Sequence, residues 1–145
     1  AREPLRLVNH GPFHTPLMQG SSERALALPP EWIGGPALPM IDGRGQIWRP
    51  HASNAEALRR YTFATQILET YDFTRAVRVA VKEYAPDRIV LLGPGDTLGG
   101  AIAQALIAIQ WRGMKSKRDF QEAQASGAPP LLAMGRDGQR ALVTG

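Results

Sequence analysis

The chain has 145 residues, 43% of them hydrophobic, which is the length and apolar fraction of one globular domain with a buried core and not of a disordered tail. It contains no cysteine, so disulfides, thiolate metal sites and cysteine nucleophiles are excluded, and no apolar run approaches the ~20 residues of a membrane-crossing helix. The formal charge of +4 suits an acidic partner, whether nucleic acid, coenzyme phosphates or an acidic protein, without choosing among them.

Leu5-Arg6-Leu7-Val8 reads as a strand, ended by Asn9-His10-Gly11-Pro12 because glycine and proline break a ladder. It has no lead-in, and Ala1 stands where an initiator methionine is absent; a cleaved or truncated parent and simple methionine removal both give that start. Thr15-Pro16 offers a helix N-cap and a first-turn proline, with Leu17, Ala25 and Leu28 on one face, and Pro29-Pro30 stops the helix. After an irregular Pro/Gly stretch, residues 37–41 and Gln46-Ile47-Trp48 form a hairpin around Asp42-Gly43-Arg44-Gly45. Ser53-Asn54-Ala55-Glu56 predicts a capping box opening a helix to about Leu68, with Leu58, Tyr61, Thr65 and Leu68 buried and Arg59-Arg60 wet. Asp72 caps the next helix, whose apolar stripe is Phe73, Val77, Val81 and Tyr84, and Pro86 closes it. Ile89-Val90-Leu91-Leu92 before Gly93-Pro94-Gly95 has the pattern of a strand buried on both faces. A helix is predicted from Thr97 to about Ile109 and another over residues 115–124, before a Gly127-Ala128-Pro129-Pro130 loop and the short apolar run Leu131-Leu132-Ala133-Met134. Helices alternating with short apolar strands argue for an α/β layer with a mostly parallel sheet flanked by helices. Residues 1–110 are expected to form the core and residues 111–145 a basic extension packed on or near it.

Four features compete as sites. His10 and His14 have the spacing of helical zinc ligands, but Gly11-Pro12 breaks the helix and no third ligand stands nearby, so no metal site is expected. Gly93 to Gly100 lies between a strand and a helix, yet Leu98 occupies the third glycine position of a dinucleotide fingerprint and the P-loop lysine is missing; a tight turn is the expectation. Trp111 to Arg118 gathers four positive charges beside an aromatic ring, a solvated face first and a docking surface for an acidic carrier or coenzyme phosphates second. None of Ser21, Ser22, Ser53, Ser116 and Ser126 has the flanking glycines of a nucleophile elbow.

Asn9-His10-Gly11-Pro12-Phe13-His14-Thr15-Pro16-Leu17-Met18 resembles the catalytic-histidine segment of malonyl-CoA:acyl carrier protein transacylases and polyketide acyltransferase domains. Gln66-Ile67-Leu68-Glu69-Thr70-Tyr71-Asp72-Phe73-Thr74-Arg75-Ala76-Val77 and Leu92-Gly93-Pro94-Gly95-Asp96-Thr97-Leu98 resemble two further segments of that family, in its order and at similar separations. Gly11-Pro12 departs from the His-Ala often found before Phe-His. The resemblance implies the later part of an α/β-hydrolase-like acyltransferase core, with a serine and a carboxylate-gripping arginine upstream, outside these residues. It implies His14 as catalytic base, the Gln66 backbone carbonyl as its orienting acceptor, and Phe13 as the substrate-binding position that favours malonyl over its α-methyl homologue. The implied substrate is malonyl-CoA, with no permanently bound cofactor. The implied partners are an acyl carrier protein and the upstream half of the same cytoplasmic enzyme, and the chain alone is expected to be inactive. A non-catalytic carrier-binding module and a nucleic-acid-binding basic α/β module are the alternatives.

Overall fold

The computed structural model describes residues 11–145, so the strand expected over residues 2–8 and His10 lie outside the described residues. Contacts divide the chain into two compact units, meeting between Asp72 and Phe73. The segment after residue 110 supplies a strand and two helices to the second unit.

In the first unit a 3-10 turn, Pro16–Met18, leads into helix α1, Gln19–Leu26. Thr15 is extended there but does not cap the helix: its hydroxyl donates to the Pro12 carbonyl at 2.7 Å and closes the loop over Phe13 and His14. Because the first turn is 3-10, at about three residues per turn, the expected apolar phase is lost. Leu17 is 80% exposed, and the residue α1 buries is Ser22, whose hydroxyl donates to the Phe63 carbonyl at 2.7 Å. Strands β1, Met40–Ile41, and β2, Ile47–Trp48, pair antiparallel, with Met40 opposite Trp48 and Ile41 opposite Ile47.

The next helical stretch is continuous from Ala55 to Leu68 but changes its winding: α2, Ala55–Arg60, a π-helical turn, Tyr61–Thr65, and α3, Gln66–Leu68. Its N-cap is Asn54, which accepts from the Ala57 amide at 2.9 Å, and not Ser53; Glu56 reaches toward Arg59 (3.8 Å) instead of closing a capping box. Arg59, predicted wet, is buried. Its guanidinium donates to the carbonyls of Leu26 and, at 3.0 Å, Leu28. The physical reason lies in the prolines that end α1. Pro30 stands four residues after Leu26 and has no N–H to return, so the Leu26 carbonyl needs an outside donor. Trp48, Leu58 and Tyr61, with Ile33 against them, form the apolar centre of this unit.

The second unit opens on α4, Phe73–Tyr84, directly after Asp72. Val81 is buried and Phe73 and Val77 pack beside it, whereas Tyr84, expected in the same stripe, is exposed. Strand β3, Ile89–Leu91, is followed by α5, Gly99–Ala108, a 3-10 turn, Trp111–Gly113, α6, Lys117–Gln124, β4, Leu131–Ala133, and α7, Asp137–Thr144. β3 and β4 are parallel, with Ile89, Val90 and Leu91 opposite Leu131, Leu132 and Ala133. The strand buried throughout is β4 and not β3: side chains preceding and following it, Gln124 and Gln139, bond its backbone and cover it, whereas Val90 is 37% and Leu92 79% exposed. Val81, Ile102, Leu106, Met114 and Leu131 make the core. The chain is thus mixed α/β, with one parallel pair of strands in the second unit and one antiparallel hairpin in the first among the described residues. Among the described residues no helix is long and apolar enough to cross a membrane.

Candidate functional site

His14 sits in the loop before α1 with a φ of 60°, the left-handed region that residues with a Cβ seldom occupy and that costs about 1 kcal/mol. What holds it there is tertiary. Its ring Nδ1 lies 2.5 Å from the backbone carbonyl of Gln66, 52 residues along the chain. That carbonyl is free to accept for a local reason. Glu69 donates to Thr65 (2.9 Å) and then leaves the helix, at φ −111° and ψ 153°, so Gln66 lies among the last residues whose carbonyls find no amide four positions on. A carbonyl oxygen can only accept, so Nδ1 carries a proton, and in the neutral ring the lone pair is then on Nε2. The ring is half-buried.

Tyr71 completes the setting. Its ring centroid is 5.6 Å from that of His14, the two planes tilted by 42°. On its other side lies the β1–β2 turn, organised by Asp42. This buried carboxylate accepts from the backbone amides of Arg44 and Gln46 (both 2.9 Å), from the Trp48 indole (3.2 Å) and from the Arg44 guanidinium (3.0 Å). The Gly43 amide donates to the Tyr61 hydroxyl at 2.8 Å, and the Gly43 carbonyl accepts from the Asp72 amide at 3.0 Å. Burial first, and the nearby Asp42 charge second, push the Tyr71 phenol above its usual range; burial does the same for Tyr61, against the opposing bond from Gly43.

Of the residues singled out from the sequence, His14 and Gln66 are brought together, through the backbone of Gln66 and not its side chain. Phe13 is adjacent and 60% exposed, its ring folded over Gly11, where a Cβ would lie 3.2 Å from it. Asp42 and Gly43 carried only turn signals, and Tyr71 lay within the resembling Gln66 to Val77 segment without a role assigned to it. Nothing in a linear pattern reports that a tyrosine five residues past Gln66 meets a histidine near the start of the chain. Among the described residues no three His, Asp or Glu side chains converge as metal ligands.

In the second unit two of the four cationic side chains of the Trp111–Arg118 segment, Arg112 and Arg118, are paired with carboxylates. Arg112 lies over the Trp111 ring (4.6 Å) and pairs with Asp87 (3.2 Å), Arg118 pairs with Glu122 (2.8 Å), and the Lys115 amide donates to Asp119 (2.7 Å). That last bond, with Ser116 behind it, holds the Asp119 carboxyl below its usual range. A cavity of about 600 Å³ lies along α5 and α6. Its Arg136 and Asp96 neutralise each other at 2.6 Å, and its Gln124 and Gln139 amides are spent on the backbone of β4.

Comparison of the chain with protein-family models, with curated proteins and with solved structures finds no match.

Proposed function

We propose that this chain is the histidine-bearing C-terminal portion of an α/β-hydrolase-like acyltransferase that moves a malonyl group from coenzyme A to the phosphopantetheine thiol of an acyl carrier protein. The observation that carries this reading is the His14 Nδ1 to Gln66 carbonyl contact at 2.5 Å, within a segment that resembles the catalytic-histidine stretch of that family.

His14 Nε2 takes the proton from a serine hydroxyl supplied by the upstream half as the serine oxygen attacks the malonyl thioester carbonyl. The carbon–sulfur bond then breaks, and His14 returns the proton to the departing coenzyme A thiolate. In the second half His14 deprotonates the carrier's thiol, whose sulfur attacks the acyl-serine, and the serine oxygen leaves with that proton. Throughout, the Gln66 carbonyl keeps Nδ1 protonated and faces the positive charge the ring acquires, the part a carboxylate plays in other triads. Phe13, beside the base, narrows the space for an α-methyl branch; one methyl group in a pocket is worth about 1–3 kcal/mol, so the preference for malonyl is modest.

The test uses the full polypeptide that supplies the serine. With labelled malonyl-CoA and carrier protein, His14→Ala lowers transfer by about 10²- to 10⁴-fold. Transfer within a few-fold of the unaltered protein removes His14 from the mechanism, and label mapping to one of the chain's own five serines shows it to be a complete enzyme instead.

A further inference from the structure

We infer that the Tyr71 ring is a positioning element for His14, and that the Asp42–Gly43 turn is the platform that fixes it. The inference rests on the reading of His14 as the base. The bond from Nδ1 fixes one point of the imidazole, but a ring held at one atom can still swing about that bond, and Nε2 swings with it. Tyr71 supplies the second restraint, its ring centroid 5.6 Å away and its plane tilted by 42°, within the contact range of aromatic pairs.

Tyr71 is itself held closely. A Cβ placed on Gly43 would lie 2.7 Å from Cε2 of Tyr71 and 2.8 Å from Cγ, so the phenol ring lies flat against glycine backbone where no side chain fits. The next residue, Asp72, donates its amide to the Gly43 carbonyl at 3.0 Å and ties the chain on either side of the ring to the same turn. The turn does not yield, because Asp42 binds it from within through the Arg44 and Gln46 amides and the Trp48 indole. A single line of contacts therefore runs from a buried carboxylate, through a glycine, to the ring that abuts His14. It also explains why a glycine stands second in a turn whose φ there is not positive: Gly43 has no φ in the left-handed range, and the requirement is for close approach.

The experiment reads the imidazole directly, in the chain itself, by nitrogen–proton correlation spectroscopy of the His14 ring. The unaltered chain and Tyr71→Phe, which keeps the ring, show the Nδ1–H tautomer with a ring proton slow to exchange with water. Tyr71→Ala, and Gly43→Ala through displacement of the ring, give mixed tautomers and ring-proton exchange faster by about two- to tenfold, the range a single aromatic contact supplies. The Trp48 indole proton, bonded to Asp42, reports in the same spectra that the turn is intact. Should Gly43→Ala unfold the turn, Tyr71→Ala alone decides the matter. Unchanged tautomer and exchange in Tyr71→Ala overturn the inference. Transfer kinetics separate it from the functional reading: a mobile His14 in Tyr71→Ala, together with an inert His14→Ala substitution in the full polypeptide, leaves the positioning role standing and removes the acyltransferase.

Discussion

The two units are held together by different physics. In the second, the buried residues are apolar without exception among the described residues, from Ala76 and Val81 through Ile102, Ala105 and Leu106 to the whole of β4. In the first, Trp48, Leu58 and Tyr61 are joined by three buried polar residues, Ser22, Asp42 and Arg59, each bonded to backbone groups. Its elements are short, two residues per strand and eight in α1, and turn-forming residues occupy much of the rest. So little regular structure leaves many carbonyls and amides without partners, and buried side chains must supply them. The difference teaches where each unit is vulnerable. The second loses stability with lost volume and the first with lost hydrogen bonds.

The largest effect expected from that contrast is in the apolar unit. Leu106 is fully buried at the centre of the core, and Leu106→Ala removes apolar contact and leaves a cavity, at a cost of about 2–5 kcal/mol. Urea unfolding followed by Trp111 fluorescence checks it, since Trp111 packs against the same core. A loss under 1 kcal/mol means that the core collapses freely around the gap and the contrast is overstated.

A somewhat smaller effect belongs to Arg59. Arg59→Met keeps most of the aliphatic length but withdraws the donors from the Leu26 and Leu28 carbonyls, at a cost of about 2–3 kcal/mol. Arg59 also carries its own penalty, since its Nε is buried without a partner, and that penalty is relieved by the same change. A Met variant as stable as the original, measured by thermal unfolding, shows that the guanidinium's burial only balances its bonds.

The smallest effect concerns pH. Tyr61 and Tyr71 are both held above the ordinary phenol value of 10.0, first by burial. The unfolded chain therefore gives up these protons before the folded one does. Their contribution is complete below about pH 10 and is lost as pH rises through the folded-state values. Unfolding midpoints measured from pH 8 to 11 are expected to fall at the top of that range, and less steeply in Tyr71→Phe. An identical alkaline slope in Tyr71→Phe assigns the decline to other groups.

Much of the second unit was legible because its elements follow one rule. The period of apolar residues in α4 and the uninterrupted run in α5 are local signals, and the helices lie within two residues of where that pattern put them. The β1–β2 hairpin was legible for the same reason, since Asp42-Gly43-Arg44-Gly45 carries its turn chemistry in four consecutive residues. Which strand would be buried was not legible. Ile89 to Leu92 and Leu131 to Met134 are equally apolar as strings, and only their position in the fold covers the second and leaves Val90 and Leu92 exposed.

In the first unit the sequence by itself determined where the chain turns, through the prolines that end α1 and the glycine of the hairpin, and singled out a histidine in a loop that resembles a catalytic segment. The tertiary structure alone decided what those residues meet. Arg59 looks solvated in any helical projection, and it is buried because two prolines far along the chain left carbonyls without donors. The π turn over Tyr61–Thr65 has no sequence signature, yet it leads directly into α3, whose end presents the Gln66 carbonyl to His14. Tyr71 lies in a segment that resembles the family, but nothing in it pointed to a contact with His14. Local propensity is set by neighbours in sequence, whereas hydrogen bonds and ring contacts are short-ranged in space and blind to separation along the chain. A residue whose partner stands 52 positions away can therefore be singled out from its own segment, but its orientation is settled only once the chain has folded.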